Sequence, residues 1–363
     1  MAKASPAFTN FTAGELSPRL DGRTDVGKYF NGCKKLQNFV VHPHGGASRR
    51  PGTIFVREVK NSAHNVRLIP FEFNVTQTYV LEFGDQYFRV HKDGGTVVSS
   101  STPVEVTTPY AHTDLEKLKF TQSADVMYLV HPDFAPRKIT RTSHTAWTIA
   151  EVDFLRGPFQ DENTSATTLI ASGRTGSVNV TASADTFVSS DVGRLIKLHD
   201  GVTKITGFTS ATVVATTVQT NADGRAELMP SYNATTISAH EGDPSATGLE
   251  HNDRYQDAAG QFVTQGFKVG MNVTVSGFTT ANNNKGSAIV VKVTDDTLLL
   301  APSSDLTDEA AGDSVTISGN LTASTEFSLG AFSTTTGFPS AVAFYEQRLV
   351  FASTTQQPQT LFF

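Results

Sequence analysis

The sequence of this 363-residue chain predicts a mainly β fold. Serine, threonine, valine and glycine are abundant, whereas long stretches rich in leucine, alanine, glutamate and lysine, which favour helices, are missing. Short apolar runs separated by turn-forming residues recur along the chain, as is typical of antiparallel strands joined by hairpins. Two similar segments between residues 165 and 325 indicate additional small β units within the same chain.

Residues 1–55 are predicted to form an extended N-terminal arm. Glycine, proline and an Asn-Gly pair punctuate this segment, and few apolar residues lie between them. Such a segment is expected to pack on other elements or on a neighbouring subunit. One short helix is predicted near residues 26–40, where Tyr29, Leu36 and Phe39 would share a face.

Residues 56–160 are predicted to form the first part of a partial or irregular β-propeller-like domain. Two series of strands start roughly 47 residues apart, which is near the period of a four-stranded propeller blade. A third copy at residues 343–351 and 359–363 continues the domain over residues 326–363. A capping box at residues 113–116 predicts a two-turn connecting helix. The predicted strands are residues 54–56, 66–69, 78–83, 87–90 and 96–98, and then residues 124–130, 137–141 and 147–149.

Residues 161–325 are predicted to be an insertion of two small β-barrel or sandwich modules. Aromatic residues become scarce here, and threonine, serine, alanine, asparagine and glycine dominate. In each module a glycine, Gly193 or Gly270, opens an alternating strand, and a Gly-Phe turn and a second β stretch follow. The modules are expected at about residues 165–235 and 255–325.

Composition and charge exclude several classes of protein. The formal charge is -6, from 35 acidic and 29 basic residues, whereas proteins that grip DNA phosphates usually carry a basic excess. The single cysteine, Cys33, excludes an intrachain disulfide and fits assembly in a reducing cytoplasm. Neither a signal peptide nor an apolar run of about 18 residues is recognised, so no membrane association is expected.

Several residue groups match parts of chemical motifs without the context that the chemistry needs. Residues 22–28 have the letters of a phosphate-binding P-loop, but Tyr29 stands where a hydroxyl residue is required, and no strand precedes the loop. His42 and His44 flank a proline in a turn, with no third metal ligand at a suitable spacing. Cys33 has no evident histidine partner, so nucleophilic catalysis has no support.

Four carboxylates, Glu151, Asp153, Asp161 and Glu162, cluster at the entrance to the insertion. Glycoside hydrolases require paired acids, but solvated linker charges explain this cluster more simply. The sequence therefore predicts that the protein is not an enzyme and has no catalytic residue, cofactor or metal.

Five basic side chains form a basic zone near the N-terminus. Two interpretations are equally good: an electrostatic contact with an acidic neighbouring subunit or partner ring, or a solvated surface. The residues of the basic zone are Lys34, Lys35, Arg49, Arg50 and Arg57.

Residues 10–18, Asn-Phe-Thr-Ala-Gly-Glu-Leu-Ser-Pro, resemble the opening of the tail nozzle proteins of short-tailed bacteriophages, a family also called tail tubular protein B-like. The block at residues 33–53, with its Gln-Asn-Phe and Arg-Arg-Pro-Gly-Thr segments, is similar to the same family. Residues 67–83, 122–132 and 337–349 resemble successive blades of the family's propeller.

The resemblance implies a structural protein of the virion tail that is assembled in the host cytoplasm. It implies a homohexameric ring below the head-tail adaptor, around the channel through which genomic DNA leaves without sequence-specific binding. The adaptor ring, tail fibres and other tail proteins would be its partners, and the family has no catalytic residues to carry over. Because members continue with further blades after the Phe-Tyr-Glu-Gln-Arg-Leu segment, this chain is expected to be a fragment or a split product.

Two alternatives stay open at this point. The inserted modules are compatible with a peripheral tail module that binds a host receptor or glycan. Glu151 and Asp153 are the residues that a tail-borne glycan hydrolase would use.

Overall fold

The structure is a computed structural model that describes residues 8–220, 224–243, 245, 247, 251–302 and 305–363. Its fold is mainly β, as the sequence predicts, with antiparallel sheets of up to seven strands and one short parallel pair. The helical segments whose bounds are given below are 3-10 helices of three residues each. Contacts divide the chain into a first unit, up to Glu58 with Asp93–Thr96, and a second unit, Val59–Lys92 with Val97–Phe363.

The first unit contains two small sheets, one a parallel pair and the other a hairpin. The hairpin loop closes on His42, whose backbone N–H donates to the carbonyl of Gly46, while the N–H of Gly45 donates to the carbonyl of His42. The turn-rich segment predicted as an arm therefore contains local β structure. Its elements are β1 (Gly14–Glu15), 3-10 helices at Pro18–Leu20 and Tyr29–Asn31, β2 (Gly32–Cys33), β3 (Phe39–Val41) and β4 (Ala47–Arg49).

Two predictions for this segment are wrong. The helix predicted over residues 26–40 is a 3-10 turn that ends at Gly32, where the backbone becomes extended. An added Cβ at Gly32 would lie 2.7 Å from Cγ of Leu16, so this close approach depends on glycine. The strand predicted at residues 54–56 pairs with no strand among the described residues, and Ile54 and Phe55 are 80% and 79% exposed.

The first propeller-like sheet is an antiparallel meander. Two-residue turns at residues 75–76 and 85–86 join its first three strands. Gln86 has a φ of +62°, the left-handed conformation that such tight turns favour. A further strand pairs with the third after a short hairpin. The strands are β5 (Arg67–Asn74), β6 (Gln77–Gly84), β7 (Tyr87–Lys92), β8 (Gly95–Thr96), β9 (Val98–Ser99), β10 (Thr102–Pro103) and β11 (Glu105–Thr107), and the order in the sheet is β11-β7-β6-β5.

The second propeller-like sheet repeats this meander with its strands in sequential order. The two-turn helix predicted before it is only a 3-10 helix at Leu115–Lys117. The predicted capping box does not form: the N-cap of this 3-10 helix is Asp114, which makes no side-chain cap bond, and its carboxylate accepts the backbone N–H of Ala111. The strands are β12 (Lys119–Ser123), β13 (Val126–His131), β14 (Phe134–Arg141) and β15 (Trp147–Glu151).

One hydrophobic core joins these two sheets. Trp147 of β15 packs edge-on against Phe71 of β5 and Tyr79 of β6, with ring centroids 4.8 and 5.2 Å apart. Edge-on aromatic pairs add about 0.5–1.5 kcal/mol to the burial of their area, so this cluster stabilises both sheets at once. Other buried members are Ile69, Leu81, Phe83 and Phe88 from the first sheet and Met127, Leu129 and Ile139 from the second.

The first inserted module is built on strands that alternate between buried and exposed side chains. In the segment at residues 177–182, Val178, Val180 and Ala182 face the module's core, while the polar residues between them face outward. A 3-10 helix at Ser189–Asp191 precedes its third strand. The strands are β16 (Leu169–Ala171), β17 (Ser177–Ala182), β18 (Leu195–Leu198), β19 (Gly201–Ser210) and β20 (Val213–Gln219).

The second inserted module is a seven-stranded sheet with an aromatic core. Tyr255 stacks on Phe278 at 5.6 Å, and Phe262 meets Phe267 edge-on at 5.8 Å. A 3-10 helix covers Ala281–Asn283. The strands are β21 (Ser231–Ala234), β22 (Ile237–His240), β23 (Arg254–Asp257), β24 (Asn272–Ser276), β25 (Ala288–Val293), β26 (Thr297–Leu300) and β27 (Val315–Gly319), in the order β21-β27-β24-β25-β26-β23-β22.

The second module is nested within the first. After β27 the chain returns as β28 (Phe327–Leu329), which pairs with β18 and completes a six-stranded sheet of order β16-β17-β20-β19-β18-β28. Residues 327–329, expected in the continuing propeller-like domain, therefore belong to the sheet of the first module. The two ends of the insertion lie side by side, because the N–H of Ala331 donates to the carbonyl of Pro158.

A third propeller-like sheet follows the insertion. Residues 343–351 form a hairpin, whose turn residues Glu346 and Gln347 have φ values of +45° and +63°. The ring centroids of Phe344 and of Tyr128 in β13 are 6.0 Å apart, so this sheet lies beside the second one. The strands are β29 (Ala341–Tyr345), β30 (Arg348–Ala352) and β31 (Leu361–Phe362).

Candidate functional site

The basic zone predicted from the sequence lies in the first unit, and all five of its side chains are exposed. Lys34 and Lys35 follow β2, Arg49 and Arg50 lie at the end of β4, and Arg57 lies in the extended segment beyond. No ion-pair partner for any of them lies among the residues that the structure describes. Their charges are therefore accessible to an external partner.

The first unit also exposes apolar side chains instead of burying them. Of residues 8–58, only Gly32 and Gly45 are buried. Ile54 and Phe55 are the largest apolar side chains in the extended segment after β4, and both are largely exposed. These two neighbouring side chains are therefore available to contact another surface.

Residues 22–28 do not have the geometry of a phosphate-binding loop. They follow the 3-10 helix at Pro18–Leu20 rather than a strand, and the 3-10 helix at Tyr29–Asn31 that follows is a single turn. A phosphate site needs several free N–H groups at the start of a longer helix. Arg23 and Asp25 instead form two bonds with each other, at 2.8 and 2.6 Å.

The other two sequence candidates in the first unit make local contacts. The rings of His42 and His44 stack in the β3–β4 loop, with centroids 5.3 Å apart, and Nε2 of His42 lies 2.8 Å from Oγ of Ser48. Sγ of Cys33 lies 3.7 Å from the carbonyl oxygen of Gly14. Each of these three side chains therefore contacts residues of the turns and short strands around it.

Glu151, one of the four carboxylates at the entrance to the insertion, lines a cleft of about 330 Å³ to which the second sheet and the first module both contribute. Oε1 of Glu151 lies 2.7 Å from Nη2 of Arg137, and Oδ1 of Asp153 lies 3.2 Å from Nζ of Lys204. Each of these two carboxylates therefore has a cation of the same chain as its partner. Asp161 and Glu162 are simply exposed.

The structure brings together three potential metal ligands that the sequence analysis did not connect, namely His64, Asp85 and His112. His64 lies before β5, Asp85 lies in the β6–β7 turn, and His112 follows β11. The two imidazole rings are stacked, with centroids 3.9 Å apart and an interplanar angle of 5°. The backbone N–H of His112 donates to Asp85 at 3.0 Å, and this bond is the main reason why the pKa of Asp85 is lowered.

No protein-family model matches this chain, and a comparison with curated proteins finds no match. The resemblance to tail nozzle proteins therefore stays a prediction. In the part of the chain that the structure describes, no helix is both long enough and apolar enough to span a membrane.

Proposed function

We propose that this protein is a structural component of a bacteriophage tail, which forms a hexameric ring below the head-tail adaptor around the DNA exit channel. The observation that carries the proposal is the character of residues 8–58, which expose apolar and cationic side chains and bury only two glycines. The sequence resemblance at residues 10–18 and 33–53 falls in the same segment. A segment of this kind gains stability when a neighbouring subunit covers it.

The distribution of charge supports contact between copies. Residues 1–58 contain nine basic and four acidic side chains, a formal charge of +5. Because the whole chain carries -6, the remaining residues carry -11. The basic segment of one copy and the acidic remainder of the next therefore attract each other, and a head-to-tail contact of this kind can close into a ring.

The same charge suits a passage for DNA. Residues 59–363 are strongly acidic as a group, so they repel phosphates and would limit adhesion of passing DNA. The three propeller-like sheets would supply a rigid wall, since antiparallel meanders of this length share buried aromatic cores. The protein would act through its shape and its contacts, without turnover.

Native mass spectrometry and light scattering of the full chain test the proposal. The expected mass is near six times 39.0 kDa. The double change Ile54→Glu and Phe55→Glu would place two charges in the exposed apolar segment, and we expect it to release smaller species. High salt should also weaken the ring, because the attraction between exposed charges is screened.

Val75→Glu is the matched control, because Val75 is 98% exposed in the β5–β6 turn and lies outside the exposed apolar segment that the double change disrupts. We expect this variant to assemble like the unmodified chain. A monomeric mass at every concentration and at low salt would contradict the ring. If the double change leaves the oligomer intact, residues 54 and 55 are not part of its interface.

A further inference from the structure

The fold brings three separate chain segments together at one end of the first propeller-like sheet. The N–H of Gln86 donates to the carbonyl of Tyr110, and the N–H of Thr108 donates to the carbonyl of Gln86, each within 2.9 Å. These bonds fasten the loop that carries His112 to the turn that carries Asp85. Backbone bonds of the sheet therefore place His112 beside Asp85.

The distances within the cluster are too long for good hydrogen bonds. Nδ1 of His112 lies 3.4 Å from Oδ1 of Asp85, and Nδ1 of His64 lies 3.7 Å from Oδ2. A charge-assisted bond between imidazole and carboxylate would be about 2.7–2.9 Å long. A tetrahedral zinc ion with bonds of about 2.0–2.1 Å separates its ligands by roughly 3.4 Å, which is close to the spacing seen here.

The donor set is selective for one class of cation. Imidazole nitrogen suits zinc, copper, nickel and iron, whereas magnesium and calcium prefer sites made of oxygen atoms only. The three side chains are each 32–39% exposed, so an ion can reach them from solvent. The bond from the N–H of His112 to Asp85 orients the carboxylate, as outer-shell donors do in metal sites.

We propose that His64, Asp85 and His112 bind one divalent transition-metal ion such as Zn²⁺. The ion would fasten the segment before β5, the β6–β7 turn and the loop after β11 to one another. Three protein ligands leave one tetrahedral position for water or an external donor. This inference does not depend on the proposed tail function.

The test is a titration of the full chain, without a histidine tag, with Zn²⁺ in a calorimeter and with Co²⁺ in a spectrophotometer. We expect one ion per chain, a visible Co²⁺ absorption band of tetrahedral type and a higher unfolding temperature with Zn²⁺. Mg²⁺ should produce none of these effects. His64→Ala, Asp85→Asn and His112→Ala should each weaken binding at least about tenfold.

The combined change His42→Ala and His44→Ala is the control, because these residues form the other stacked histidine pair of the described chain. It should leave binding unchanged. Asp85→Asn can still accept the bond from the N–H of His112, so this variant is expected to fold, and circular dichroism checks that it does. The proposal is overturned if binding follows the His42 and His44 pair, or if Co²⁺ with the unmodified chain keeps the spectrum of the aqueous ion.

Discussion

The first unit and the first two propeller-like sheets use β structure in opposite ways. In the first unit, strands of two or three residues pair locally and leave Ile54 and Phe55 exposed. In the sheets, strands of up to eight residues bury Phe71, Tyr79 and Trp147 in one shared core. The comparison teaches that backbone pairing shapes both regions, whereas burial of side chains in a hydrophobic core stabilises only the second.

The largest effect is expected for Trp147→Ala, which would remove the ring at the centre of the shared core. Trp147 is 6% exposed and meets three aromatic rings, so a cavity would remain. We expect a loss of about 3–5 kcal/mol in the free energy of unfolding. Urea unfolding followed by circular dichroism measures it. A loss below about 1 kcal/mol would mean that the core repacks and that the contrast with the first unit is overstated.

A somewhat smaller loss is expected for Arg194→Ala in the first inserted module. Nη1 of Arg194 lies 3.1 Å from Oδ1 of Asp191, which is 1% exposed, and Nε donates to the carbonyl of Gly330 at 2.8 Å. Removal of the guanidinium leaves a buried carboxylate without its cation, which costs about 3 kcal/mol.

Calorimetry of the Arg194 variant, together with fluorescence of the single tryptophan, shows whether the inserted module or the sheets around Trp147 lose stability. We expect the transition of the module to shift more than the transition that Trp147 reports. Arg194→Lys is the control, because it keeps the positive charge but loses the planar guanidinium with its several donors. Its loss of stability should lie between those of the unmodified chain and the alanine variant. Equal shifts of both transitions would show that module and sheets unfold together.

The buried sheets should also respond to alkaline pH through Tyr87. Burial, with the hydrogen bond from its hydroxyl to Glu82, raises the pKa of Tyr87 to about 12. The unfolded chain loses this proton near pH 10, so the stabilisation is full below about pH 10 and is lost as the pH rises through about 12. We expect a decrease of about 2 kcal/mol over this interval, and Tyr87→Phe should flatten that part of the stability profile.

The smallest effect on folding is expected for Phe55→Ala in the first unit. Because Phe55 is 79% exposed, its removal should change the free energy of unfolding by less than about 0.5 kcal/mol at concentrations where the chain is monomeric. At concentrations where the chain assembles, the same change should weaken assembly. A large loss in the monomer would show that this side chain is covered by its own chain.

Much of the fold could be predicted from local patterns. The β-rich run at residues 78–83 and the turn expected at residues 84–85 predicted β6 and its hairpin, whose turn lies one residue later, and the run at residues 124–130 predicted β13. The helix predicted over residues 26–40 failed because Gly32 joins a parallel pair, a contact that periodicity cannot show. The role of β28 was missed because its partner β18 lies on the far side of the nested module in the sequence.

Some features of the candidate sites could likewise be predicted from the sequence, and others required the structure. Exposure of Lys34, Lys35, Arg49 and Arg50 could be expected, since runs of like charge among turn formers are rarely buried. The pairing of Glu151 with Arg137 required the β14–β15 register.

The sequence by itself determined that the chain is mainly β, that its charge is divided between a basic start and an acidic remainder, and where most hairpins turn. These properties depend on neighbouring residues, because side chains alternate along a strand and turn residues act on their own backbone. Only the tertiary structure decided that the second module is nested in the first and that His64, Asp85 and His112 meet. Both depend on contacts between residues far apart in sequence, which form only when whole sheets assemble.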